Sequence, residues 1–247
     1  MKQLVKSVLL LLAIGVGLGG VASAAGDDFE GLIEASDMVE ISSQVPGIIE
    51  QILVERGDLV SAGDEIVRLK SELEVASVKL AQTRLEFGKR KVSRNEELQR
   101  KKLISTHDED EMETESLLNE LQLREEEQRL QLRSIRSPIT GVVVKRTLSV
   151  GEYVGEGSIL TLARINPLFV EVIVPVSRYG SVHNGMRAEV RPESPVGGKY
   201  LGKVIVVDQV IDAASGTFGV RVELPNDSLQ LPAGLKCQVR FLAAKKK

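Results

Sequence analysis

One cysteine, no tryptophan and an aromatic content of 3% are what this 247-residue chain has least of. A single thiol, Cys237, excludes an internal disulfide and any cysteine-rich metal site. In the strand-like run from Cys237 to Phe241 it is expected to be a small buried apolar residue. So few rings leave Val, Ile and Leu to build the cores, which favours strands. The only histidines are His107 and His183, and neither has a Cys or His at metal-ligand spacing, so neither a metal nor a cofactor is expected. No nucleophile elbow, P-loop or dinucleotide fingerprint occurs after the leader, and Asp27-Asp28 and Glu126-Glu127 read as solvated surface, so no catalytic residue is assigned and the chain is not expected to be an enzyme. A concentrated excess of positive charge is also missing. The net charge of −3 argues against a nucleic-acid partner.

The first 24 residues have the pattern of an export signal. Lys2 and Lys6 precede an apolar run from Val8 to Ile14, and Ala22-Ser23-Ala24 is a cleavage signature. Removal after Ala24 is the preferred reading; an uncleaved anchor is the alternative, since Ser7 to Ala25 carries no charge. No cysteine stands there to carry a lipid. Both readings place the body outside the cytoplasm.

An internal repeat is the strongest feature. Gly57-Asp58-Leu59-Val60-Ser61-Ala62-Gly63 recurs 94 residues later as Gly151-Glu152-Tyr153-Val154-Gly155-Glu156-Gly157, and flanking segments match as well: Pro46-Gly47-Ile48-Ile49 with Gly141-Val142-Val143, and Ile66 to Leu69 with Ile159 to Leu162. Each copy reads as short strands joined by tight turns, with Gly57, Gly63, Gly151 and Gly157 expected to supply positive φ. Two such units facing each other would form a flattened β-sandwich with pseudo-twofold symmetry. The pattern resembles the lipoyl, or biotinyl-carrier, fold cut into halves at 38–70 and 136–165.

Between the halves, residues 71–135 contain no proline and one glycine, Gly88. Ser71 to Glu74 reads as a capping box. Leu73, Ala76, Leu80, Thr83 and Phe87 then follow helical spacing on one face, and Leu117, Leu118, Leu121, Leu123, Leu130 and Leu132 supply a second amphipathic run. The break falls near Ile104 to His107, where Ser105 or Thr106 can cap the second helix. Arg100, Lys101 and Lys102 sit where the first helix dipole is negative, and Asp108 to Glu111 where the second is positive. The expected form is an antiparallel coiled-coil hairpin, basic on one arm and acidic on the other, roughly 45 Å long at 1.5 Å per residue.

Split lipoyl halves around a helical hairpin, after an export signal, resemble the membrane fusion proteins, or periplasmic adaptor subunits, of the HlyD-like family. The hairpin tip adds to the likeness. Arg94, Leu98 and Ser105 fit the R-x3-L-x6-S signature with which that family engages a TolC-type outer-membrane channel, and Asp110 falls where an acidic residue is common. Singly they read as a surface Arg, a core Leu and an N-cap; together, at this spacing, they imply docking. Ser137 to Gly141 matches the family's re-entry into the second half, and Asn166 to Val172 opens what the resemblance makes a C-terminal antiparallel β-barrel. Its strands would lie near Gly185 to Val190, Val204 to Val210, Gly219 to Glu223 and Gln238 to Phe241, with a short helix at Ser177 to His183. Asp212 to Thr217 and Leu231 to Leu235 fit the family's turns with small departures.

The expected fold is thus mainly β with a long α-hairpin: signal 1–24, N-terminal segment 25–37, split sandwich 38–70 and 136–165, hairpin 71–135, barrel 166–243 and basic tail 244–247. A membrane-proximal domain built from both termini is expected to be absent. By resemblance the chain links an inner-membrane efflux transporter, of resistance-nodulation-division (RND) type, to the channel, as a homo-oligomer of six copies in the periplasm. An ABC-type exporter or a type I secretion system is the alternative partner. A lipoyl or biotinyl carrier is a remote one, since Lys70 is only near the relevant turn. No Met or His cluster near the mature N-terminus marks a copper or silver pump.

Overall fold

The computed structural model describes residues 28–101 and 105–242, without the side chains of 96–99 and 106; the segments 1–24, expected as an export signal, and 244–247, expected as a basic tail, lie outside them. Twelve strands and two helices follow in the order β1 (Phe29–Ser42), β2 (Gly47–Ile52), β3 (Leu59–Val60), β4 (Glu65–Leu69), α1 (Glu72–Arg100), α2 (Thr106–Gln131), β5 (Ser134–Arg136), β6 (Gly141–Arg146), β7 (Tyr153–Val154), β8 (Ser158–Pro175), β9 (Arg187–Pro192), β10 (Tyr200–Val207), β11 (Thr217–Leu224) and β12 (Lys236–Leu242).

The sequence repeat is a structural repeat, down to the hydrogen bonds that join its halves at Gly57 and Gly151. One sheet runs β5-β4-β2-β7; facing it, the end of β1 continues into β8, β6 and β3. In both sheets the two inner strands come from one half and the two outer strands from the other. The Gly57 N–H donates to Val143 O at 2.9 Å, and the Val143 N–H to Asp58 O at 3.0 Å. Ninety-four residues on, the Gly151 N–H donates to Ile49 O, and the Ile49 N–H to Glu152 O, both at 2.9 Å. Each half therefore clamps the other by the same exchange. Even the bulges correspond, falling between Ile49 and Gln51 in β2 and between Val143 and Lys145 in β6.

The motif's acidic residue has its own task. The Asp58 carboxylate accepts from the Glu55 N–H, and the Glu152 carboxylate from the Ser149 N–H, each at 2.8 Å. Asp and Glu both serve because either reaches back three residues to satisfy a turn donor. Gly57, Gly63 and Gly151 hold φ of 97°, 93° and 88°. Gly157 does not share this: its φ lies outside the left-handed region. The second half is one residue shorter there, passing from Gly157 through Ser158 to Ile159 where the first has Gly63, Asp64 and Glu65 before Ile66, so the turn closes without the strained conformation. Ile49, Val60, Ile66 and Leu69, with their counterparts Val143, Val154, Ile159 and Leu162, fill the space between the sheets. Fully burying such a side chain stabilises by about 1.5–3 kcal/mol.

Within the segment 25–37, expected as an N-terminal segment ahead of the sandwich, the residues from Phe29 onward form a barrel strand. The first part of β1 pairs with β12 on one side (Phe29 with Val239) and with β8 on the other (Ile33 with Val170), closing a ring in the order β1-β12-β9-β10-β11-β8. Ile33 lies fully buried among Val170, Val190, Val220 and Val239. Past an irregularity between Ala35 and Asp37, β1 and β8 stay paired into the sandwich, so one two-stranded ribbon runs through both modules. At the barrel's end the expected helix over 177–183 is a single 3₁₀ turn, Val176–Arg178. Gly180 has φ +84°, which an α-helix cannot accommodate.

Cys237 is 3% exposed in the barrel core, and burial pushes its thiol up to about 11 from 9.0. The folded chain should thus resist alkylation by iodoacetamide at pH 8 and react only on unfolding. The unfolded thiol ionises first, so this residue's contribution to stability is full below about pH 9 and declines as pH climbs toward 11. A Cys237→Ala variant with the same alkaline decline would remove the thiol as its cause.

The two helices form an antiparallel pair, but on a different face of α1 from the one its hydrophobicity suggests. Glu74, Val78, Ala81, Leu85, Gly88, Val92 and Asn95 turn inward, in alternating steps of four and three. They meet Met112, Ser116, Asn119, Leu123, Glu126 and Leu130 of α2. Leu73, Leu80 and Phe87 point outward, as do Leu117, Leu118 and Leu121. The seam is built of small and polar groups because the backbones approach closely: a Cβ at Gly88 would stand 3.3 Å from Asn119 Nδ2 and 3.8 Å from Ser116 Cα.

At the hairpin's base the expected capping box gives way to a clamp. Arg133 donates to the Glu74 carboxylate at 2.6 Å and to Pro46 O at 2.9 Å, tying both helices to the first half of the sandwich. Each side chain of this pair is about one-fifth exposed. Arg133→Ala should lower stability by about 2 kcal/mol, the scale of charged hydrogen bonds. Hydrogen exchange should accelerate in the first turns of α1 and stay unchanged in the barrel. Acceleration spread equally over both would show that the clamp is not local.

Candidate functional site

The distal end of the hairpin is the candidate site, built by the turn between α1 and α2. Ser105 is the N-cap of α2, with φ −73° and ψ 153°. Its Oγ accepts from the Asp108 N–H at 3.2 Å and donates to the Asp108 carboxylate at 2.9 Å. Asp108 and Glu109 then place negative charge on the positive end of the helix dipole. Of the two caps the sequence left open, Ser105 is the one used.

Arg94 stands six residues before the end of α1, exposed, its Nε donating to Arg90 O at 3.3 Å. Among the described side chains it has no carboxylate partner. Lys91, one turn earlier, differs: it crosses to Glu115 on α2 at 2.8 Å, and that hydrogen bond raises its pKa. Among the described side chains, most of Arg94's planar fork of donors thus has no acceptor. Leu98 lies on the same helix one turn nearer the tip; its side chain is not among those described. Asp110 is exposed early in α2, where with Glu111 and His107 it lines a shallow groove beside Leu118. Arg94, Leu98, Ser105 and Asp110 therefore all belong to the last turns on either side of the tip. The turn glycines lie at the hairpin's other end, in the sandwich, about 40 Å away along α1 at 1.5 Å per residue.

Between Lys79 and Arg94, α1 has six basic residues and one acidic, whereas α2 has ten acidic and two basic. Lys91 with Glu115 joins the two arms in the half nearer the tip. Asn95, whose amide donates to Met112 Sδ at 2.9 Å, ties them nearer the tip. Among the described residues no cluster of His, Cys, Asp and Glu could hold a metal ion. Two features escaped the sequence reading: the outward apolar stripes, and Arg133, for which an isolated Arg between two helices and a strand gave no signal.

The described residues thus form a β-module folded from two equivalent halves, opened to emit a long hairpin, and a closed barrel after it. The chain belongs to the CzcB-like barrel-sandwich hybrid family, whose model matches residues 37–163, more than half of it; a CusB-like β-barrel domain model matches 167–245. Among curated proteins it is similar to the multidrug resistance protein MdtE of Escherichia coli K12, at 26% identity over 81% of this chain and 59% of that one. The solvent efflux pump periplasmic linker SrpA of Pseudomonas putida is 22% identical over 84% of this chain and 59% of its own length. An uncharacterised Haemophilus influenzae protein is 22% identical over 85% and 56%. The chain thus spans somewhat over half the length of these relatives.

Solved structures show the same fold. A MacA–MexA chimera containing the Pseudomonas aeruginosa MexA α-hairpin domain superposes with a TM-score of 0.74 at 20% identity, covering 89% of this chain and 81% of the chimera. The membrane fusion protein Spr0693 of Streptococcus pneumoniae R6 gives 0.69 at 14% identity, covering 89% and 100%.

Proposed function

We propose that this chain is the periplasmic adaptor of a tripartite efflux pump. In this reading it links an inner-membrane transporter of RND type to a TolC-type outer-membrane channel and exports small molecules without catalysis of its own. The observation that carries the reading is the tip: a rod ending at the Ser105 cap of α2, with Arg94, which pairs with no carboxylate among the described side chains, on its flank and Asp110 early in α2. Such a turn offers a fixed cation, a hydroxyl and an anion to the polar end of a channel. The hairpin's length suits spanning, since two helices alone cannot bury much of themselves. Homo-oligomerisation into a ring belongs to the same reading, as do the export signal at 1–24, the lipoyl-like halves at 38–70 and 136–165, and the barrel from 166 facing the transporter.

The test is site-specific cross-linking in cells lacking the native gene. A photoreactive residue at Ser105 should capture the outer-membrane channel, and one at Val210, on the barrel, should not. Capture of the channel from both sites, or from neither in cells where the chain restores resistance, would overturn the assignment of the tip.

A further inference from the structure

The end of the barrel remote from the sandwich carries apolar side chains that no described residue covers. β1 and β8 have their sandwich ends at Ser42 and Ser158, so their other ends, Phe29 and Pro175, mark the barrel's distal rim. β11 starts there, Thr217 pairing with Pro175, and β12 finishes there, three residues past the pair of Val239 with Phe29. Two loops close this rim, residues 176–186 and 208–216, and the Val176 N–H of one donates to Gly216 O of the other at 2.9 Å. Val210 is 83% exposed, more than any other large apolar residue among those described, and Ile211, Val176 and Tyr179 are exposed on the same two loops.

These side chains are held in place. Ahead of Val210, the Asp208 N–H donates to Gly219 O at 2.9 Å. After Ile211, the Asp212 carboxylate accepts from the Ala214 N–H at 2.9 Å and the Ser215 hydroxyl at 2.7 Å. Tyr179 meets Phe218 edge-on, ring centroids 5.2 Å apart. Val182 of the first loop is already packed into the barrel core, so the other four have no interior to enter. Apolar groups fixed in water in this way mark a surface that gains by being covered.

We infer that this rim rests on a lipid bilayer, with Val176, Tyr179, Val210 and Ile211 set into the headgroup boundary. Chain length argues for the bilayer. Arg240 holds the Asp28 carboxylate by two hydrogen bonds, 2.7 and 2.8 Å, which fixes the start of β1 at the same rim. The uncharged stretch 7–25 ends three residues earlier, at most about 11 Å of extended chain away. A leader held in the membrane during export therefore leaves the rim beside the bilayer, whether it is then removed or kept. Charge at the loops is mixed, Arg178 and Arg187 beside Asp208 and Asp212, so the apolar side chains carry the contact. Lys245 to Lys247, which follow β12, add cations for anionic headgroups. A stable protein partner needs about 800 Å² on each side, more than two loop tips offer. A bilayer takes up single side chains, and a tyrosine sits well at its boundary. The inference goes beyond the adaptor reading and shares with it only the export signal.

The chain has no tryptophan, so an introduced one reports alone. Full-length Val210→Trp is mixed with vesicles of phosphatidylethanolamine and phosphatidylglycerol whose acyl chains are brominated near the headgroup. Its emission should move to shorter wavelength and fall at least twofold. Leu59→Trp, at an exposed turn of the sandwich, should do neither, even where the leader tethers the protein. Quenching of both would mean adsorption without a preferred face, and quenching of neither would leave the rim in water; either result overturns the proposal. Val176→Asp, added to the Val210→Trp protein, should reduce the quenching at least threefold with an unchanged thermal midpoint. Undiminished quenching would show that the two loops are not one surface and would sink it as well. A photoreactive residue at Ile211 that captures an inner-membrane protein in cells, while Val210→Trp stays unquenched by lipid, would give the rim to a protein partner instead. Photocapture of the channel from Ser105 is a separate measurement. Its failure beside lipid quenching at position 210 would remove the adaptor reading and leave the bilayer contact standing.

Discussion

Gly141→Ala should destabilise the chain by about 3 kcal/mol, the upper part of the range for overpacked sites, while Gly47→Ala, at the equivalent position of the other half, should cost less than about 1 kcal/mol. The two glycines occupy the same place in the repeat, each opening an inner strand. What each Cβ would meet differs. At Gly141 it would stand 2.3 Å from Ala163 O and 2.9 Å from its carbonyl carbon, both backbone atoms of β8. At Gly47 it would stand 2.8 Å from Nη1 of Arg133, the far end of a flexible side chain. The first clash forces β6 and β8 apart inside a core where Leu160, Leu162 and Ile159 are fully buried. The second is relieved when one guanidinium nitrogen swings away from Pro46 O. Urea unfolding of the two variants separates the cases. Equal losses would mean that β8 yields as easily as a side chain, and the sandwich would then be far softer than its packing implies.

The same comparison shows what the sequence could and could not disclose. A motif that must satisfy one turn donor and clamp one strand leaves a mark at fixed spacing, so Gly57-Asp58 and Gly151-Glu152 announce their symmetry directly. The hairpin was equally readable from charge, leucine and the lack of proline. Its seam was not. On α1 two stripes have helical spacing, and Leu73, Leu80 and Phe87 are the more apolar, yet Ala81, Leu85 and Gly88 face α2. Hydrophobicity marks what water avoids; it does not say whether the covering surface lies in the same chain. The barrel portion of β1 was hidden for another reason: Ile33 alternates with the small residues Gly31 and Ala35, and its partner β12 lies some 200 residues downstream. At the tip, Ser105 was legible as a cap because capping is local. The Glu74–Arg133 clamp was not, because it joins residues 59 apart.

Arg94→Asp should reduce export to the level of a strain lacking the chain while leaving folding stability within about 0.5 kcal/mol, as for surface substitutions generally. Arg94 is exposed and makes no ion pair among the described side chains, so its removal strands no described carboxylate. Reversing the charge replaces up to five donors with acceptors, and against polar acceptors on a partner each lost charged hydrogen bond is worth about 1.5–3 kcal/mol. Arg94→Lys should fall between the two, since an ammonium keeps the charge without the planar fork. One ambiguity is built into the helix: Arg94 lies seven residues from Phe87, on the same outward face, so a lost function could come from lost packing between copies. Measuring self-association beside resistance resolves it. An Arg94→Asp protein that associates normally yet fails to export locates the defect at the channel. One that no longer associates places Arg94 in the contact between copies, and the tip would then need another residue to recognise the channel.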